Sequence, residues 1–195
     1  MRNALDSAYL SGHNNTSKNF MPLHNHDTAS TASTDSGWFS SPDETGRVPT
    51  PALRSWLTEP GLLTARLRAT CTGGFGLHVL EHSEPAGSAP ATRRIFLRCG
   101  EQACVYAETL IPESTLAAHP WLAVLGDEPL GERLAMEPGV TRSEFRFSLL
   151  TDAELPAELA GTAGTLWARQ SEFTLEGGSL TVTEIFLPAL ESEAG

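Results

Sequence analysis

Glu184 stands in a row whose other members are apolar. In the run 178–188 a period of two places Leu180, Val182, Glu184 and Phe186 on one face of a strand. A carboxylate in such a layer is costly unless a cation or a hydrogen-bonding ligand compensates it. Gly177-Gly178 reads as the two-residue turn of a hairpin, which sets Leu175 opposite Leu180, Phe173 opposite Val182, Ser171 opposite Glu184 and Arg169 opposite Phe186. Glu184 then has a hydroxyl across from it and the Arg169 guanidinium one diagonal away. Two uses are open to it: a structural ion pair or hydrogen bond in the sheet face, or a functional carboxylate.

A second charge is placed in a comparable way. In the run 93–99, Arg93, Ile95, Leu97 and Cys99 share one face while Arg94, Phe96 and Arg98 share the other. A guanidinium at the end of an apolar row offers paired N–H donors to an anionic ligand. Other chemistry-bearing residues promise less. His78 and His82, at even spacing on one strand, are read as partly exposed. The glycine run 73–76 is followed by a strand and by no Lys-Ser/Thr, so it is a flexible turn rather than a phosphate loop. His13, His24 and His26 lie in a polar segment with no cysteine or carboxylate cluster to complete a metal site. Cys71, Cys99 and Cys104 have no zinc spacing and are too few for a disulfide framework, so inert, reduced thiols are expected; a bridge across the turn at 100–102 between Cys99 and Cys104 is the alternative.

The elements that must hold Glu184 and Arg93 follow from patterning. Residues 1–48 are polar and without period, the composition of a disordered tail; residues 49–195 form one domain. Leu53, Trp56 and Leu57, then Leu63 and Leu67, are at helical spacing around a break at 59–61. Ser114 is placed to cap a further helix that runs to Gly126 with an interruption at Pro120, and a short helical piece follows Pro129. Strands are expected near 74–82, 92–99, 103–111, 142–149, 165–175 and 179–187. Hairpin-linked strands with helices segregated between them predict an α+β domain, a six-stranded antiparallel sheet covered on one side by helices. The net charge of -11 argues against a nucleic-acid surface or an anionic membrane as partner. No apolar run approaches a membrane span, no secretory signal is visible at the N-terminus, and the expectation is a cytoplasmic monomer.

The segments WLTEPGLLTARLRA, TLIPESTL, LGDEPLGERL, LWARQSEF and LTVTEIFLPA, in this order and at these separations, resemble the bacterial chorismate pyruvate-lyase family over 53–189. The resemblance implies a six-stranded antiparallel sheet with helices on one side and a ligand enclosed under helical flaps. It also implies conversion of chorismate to 4-hydroxybenzoate and pyruvate, the first committed step of ubiquinone biosynthesis, without cofactor or metal. It assigns the ligand arginine to Arg93, with the adjacent Arg94 as the one-residue alternative. The family's glutamate falls on Glu184, and its backbone amides for the ligand carboxylate on Leu63 and Leu130. Leu63 stands where methionine is common and Cys104 where tryptophan is; Thr92 and Arg94 replace a tryptophan-rich context.

Overall fold

Seven strands and five α-helices are formed by residues 37–162 and 164–192, which the computed structural model describes. The strands are β1 Phe75–Ser83, β2 Ala91–Cys99, β3 Gln102–Ile111, β4 Thr141–Arg142, β5 Arg146–Leu150, β6 Leu166–Leu175 and β7 Gly178–Phe186. The helices are α1 Pro51–Leu57, α2 Leu63–Thr70, α3 Glu113–Ala118, α4 Leu130–Met136 and α5 Ala189–Ser192. All pairings are antiparallel, in the order β1-β2-β3-β7-β6-β4, with β5 also on β6. This is the expected α+β architecture, with the strand expected at 142–149 divided into β4 and β5. No helix among the described residues is long and apolar enough to cross a membrane.

The register builds two rows that matter for function. One runs Arg169–Glu184–Ala107–Ile95–Val79 across β6, β7, β3, β2 and β1; the next runs Ser171–Val182–Thr109–Arg93–His82. Apolar members of this face pack with Trp56, Leu57, Leu63 and Leu67 of α1 and α2 and with Leu130 and Leu134 of α4, so burial of the amphipathic helices covers it. The opposite face buries Tyr106, Ala168 and Ile185 beneath Leu159 and Trp38.

Several expectations are corrected here. The hairpin turn is Glu176-Gly177, with Leu175 paired to Gly178, and the whole register is two residues from the expected one. Gly177 supplies the positive φ of 85°. Gly178 is used differently: a Cβ there would overlap Thr115, whose Oγ1 donates to Ser179 O at 2.7 Å, so this glycine lets α3 lie on β7. Ser114 does not cap α3; Pro112 holds the N-cap position without a side-chain bond, and 120–124 form a separate 3-10 turn. A bulge between Val79 and Glu81 puts His78 opposite Phe96 and His82 opposite Arg93, on different faces rather than one. Cys71 and Cys99 are joined by a disulfide, tying the end of α2 to the end of β2, and Cys104 is buried elsewhere in the core. In the stretch assigned to the tail, Phe39 pairs with Phe147 and residues 42–45 form a 3-10 turn whose Asp43 pairs with Arg54, so this part is folded. The remainder of that tail, with His13, His24 and His26, lies outside the described residues.

Candidate active site

Arg93 and Glu184 line one cavity between the sheet and the first turns of α2 and α4. They stand two strands and one row apart, about 10 Å across the sheet and about 7 Å along it between backbones. Each is held by a different device.

Arg93 is 1% exposed. Its Nη2 donates to the carbonyls of Gly126 and Glu128 at 2.9 and 3.1 Å, which aims the guanidinium toward the loop before α4. Its Nε has no acceptor although it is buried. Burial pushes its pKa down, with Asp127 partly offsetting, so the site has positive charge that an anion would stabilise. The neighbouring Arg94 is spent elsewhere. On the opposite face it pairs with Glu108 at 2.7 Å and Glu81 at 2.5 Å, and the hydrogen bond to Glu108 raises its pKa.

Glu184 lies directly opposite Arg169, whose Nε donates to Oε2 at 2.6 Å. Arg169 is itself 1% exposed, and its Nη1 donates to the carbonyls of Trp56, Leu57 and Glu59 at 3.3, 3.1 and 2.9 Å. It therefore satisfies the last two carbonyls of α1 and that of Glu59 just beyond it; the helix is started by Pro51 and by Thr50, whose hydroxyl accepts from Leu53 N. The chain Glu184–Arg169–α1 pins the turn that leads into α2. The expected diagonal contact is thus a direct one.

Leu63 and Leu130 open α2 and α4, and both helices begin without a side-chain cap. The first intrahelical bonds are Arg66 N to Leu62 O in α2 and Glu132 N to Pro129 O in α4, so the amides of Leu63 and Leu130 precede the bonded turn and have no helical acceptor. Both residues line the cavity with Arg93. The buried Thr64 hydroxyl, also on the cavity wall, has no partner.

Two lining residues escape sequence reasoning. Thr109 lies beside Arg93 on β3, and Arg142 reaches the cavity from β4. Pairing of β6 with β5 follows Phe147 opposite Arg169, whereas with β4 it follows Arg142 opposite Phe173, a one-residue change between the two. That change turns Arg142 onto the inner face; unbroken alternation would have sent it outward. Among the side chains lining the cavity three guanidinium groups, Arg93, Arg142 and Arg169, face one carboxylate, Glu184.

The family model described as Chorismate lyase matches residues 34–195. A "Probable chorismate pyruvate-lyase" of Shewanella amazonensis is 39% identical over 165 residues, covering 78% of this chain and 87% of the relative. Proteins of the same description from Azoarcus sp. and Methylococcus capsulatus are 35% and 36% identical, covering 78% and 72% of this chain and 91% and 97% of theirs. The chain belongs to the chorismate lyase family.

Proposed function

We propose that this protein converts chorismate to 4-hydroxybenzoate and pyruvate, supplying the first committed step of ubiquinone biosynthesis as a cytoplasmic monomer. The observation that carries the reading is the presence, in one cavity of a chain of this family, of both Glu184 and a buried Arg93 whose Nε has no acceptor.

Arg93 Nε and the amides of Leu63 and Leu130 take the ring carboxylate. The para end of the ring then points toward Glu184. In the elimination the C4–H bond breaks and its electrons become the ring double bond; the C3–O bond breaks and its electrons leave with the enolpyruvyl oxygen. Glu184 receives the C4 proton, and the methylene carbon of the departing enolpyruvate takes a proton to become pyruvate. Arg169 holds Oε2, so the carboxylate is oriented before substrate arrives. The protein's part is to fix the ring and exclude water while aromatisation drives the bond breaking.

The direct Arg169–Glu184 bond favours one other reading, a non-catalytic pocket for an aromatic carboxylate in which Glu184 only secures Arg169. Incubating the purified full chain with chorismate separates the two. The expected result is stoichiometric pyruvate and 4-hydroxybenzoate, undiminished by EDTA; 4-hydroxybenzoate binding without pyruvate release would leave only the binding pocket.

A further inference from the structure

We infer that Arg142 binds the second carboxylate of the substrate, the one carried by the enolpyruvyl ether, and so distinguishes substrate from product. The inference rests on the proposed reaction for the identity of the ligand, but its geometry is independent of turnover.

The side chains that line the cavity favour a ligand with two negative charges. Their three guanidinium groups against one carboxylate leave two positive charges in excess, the charge of a dianion. Those three are not equivalent. Arg169 is consumed by Glu184 and three carbonyls, and Arg93 is placed for the ring carboxylate. Arg142 makes one hydrogen bond, from Nη2 to Pro60 O at 2.5 Å, and no ion pair among the described residues. Its guanidinium stacks 4.5 Å from the centre of the Phe145 ring, and that of Arg169 lies 4.1 Å from the same ring. Arg142 is thereby set beside Arg169, at the β4 edge of the cavity and across the sheet from Arg93. Burial and Arg169 push its pKa down, Glu184 and Glu144 offsetting in part, which is the condition of a cation short of countercharge.

A ring whose C3 edge faces β4 brings its second carboxylate to this place. With C1 carboxylate at Arg93 and C4 at Glu184, the ether on C3 is adjacent to Glu184, and its carboxylate extends past the ring edge. Arg142 also borders a second recess, with Pro60 and Phe145. A planar guanidinium stacked on an aromatic ring offers fixed paired donors to that carboxylate.

The test uses the full chain and two ligands, 4-hydroxybenzoate and its derivative bearing a carboxymethoxy group at C3, a stable dianion of the substrate's shape. Wild type is expected to bind the dianion at least about 10-fold tighter. Arg142→Gln loses that preference while its affinity for 4-hydroxybenzoate stays within about 3-fold, and kcat/KM for chorismate falls by roughly 10²-fold or more. Arg142→Lys, which keeps the charge, recovers part of both. The inference is overturned if wild type shows no dianion preference, if Arg142→Gln retains it, or if 4-hydroxybenzoate binding falls in step with kcat/KM, which would mark Arg142 as a clamp on Pro60 alone. Should wild type fail to turn over chorismate, the proposed reaction is refuted, and the ratio of the two affinities still decides the role of Arg142.

Discussion

Glu184→Gln separates the two roles of this residue. The carboxylate bonds Arg169 at 2.6 Å, and its side chain is 17% exposed while that of Arg169 is 2% exposed. Removing one charge of a buried pair costs about 3–5 kcal/mol when the partner is left uncompensated. Arg169 is not left so: three backbone carbonyls remain around Nη1, and the Gln carbonyl still accepts from Nε. A loss of about 1–3 kcal/mol is therefore expected, or a fall in Tm of roughly 2–12 °C at this chain length. Turnover is affected through a separate route, because a neutral amide cannot receive the C4 proton. Its loss is expected at roughly 10²- to 10⁴-fold per folded molecule. The assay is pyruvate release at saturating chorismate, well below the Tm, normalised to the folded fraction from a melting curve. Near-normal turnover in a folded Glu184→Gln protein would refute proton transfer by Glu184 and leave it as the partner of Arg169.

Three further outcomes follow from the same geometry. A thermal-shift titration should raise the Tm with 4-hydroxybenzoate, by the equivalent of about 2.7 kcal/mol at a hundred times Kd, and hardly with phenol; Arg93→Ala should abolish the difference. Arg94→Ala, whose side chain pairs with glutamates on the other face, should preserve it. Gly178→Ala should lose about 1–3 kcal/mol in urea unfolding as the new methyl displaces Thr115, whereas an unchanged midpoint would mean that α3 does not rest on this glycine. Reducing the Cys71–Cys99 bridge, which spans 28 residues, should lower stability by about 3–4 kcal/mol on loop-entropy grounds, read as a shift between urea curves with and without reductant; coincident curves would count against a bridged native state.

Local alternation determined which faces carry charge. Glu184 and Arg93 are legible as charged members of apolar rows because side chains on a strand repeat every two residues, and that repeat survives errors of two. The hairpin register shows this: the pairing differs by two residues from the one read off Gly177-Gly178, yet every residue keeps its face. What the two-residue shift changed was the partner, bringing Arg169 opposite Glu184 in place of Ser171. The observed register is the one that fits α3: it sets Gly178 inside the strand, where Thr115 leaves no room for a Cβ, and gives the turn to Glu176 and Gly177. Errors of one are another matter, because they reverse faces. The change of register between β4 and β5 carries Arg142 inward, and the bulge in β1 separates His82 from His78. Neither is written in the alternation of its own segment; each arises where a strand adapts to the partner beside it. The Cys71–Cys99 pairing is of the same kind, since the C-terminus of α2 reaches the end of β2 only when the helix is packed on the sheet. The cavity's charged wall thus has two origins: Arg93 and Glu184 come from periodicity within single strands, while Arg169 as the partner of Glu184 and Arg142 as a lining residue come from how those strands were brought together.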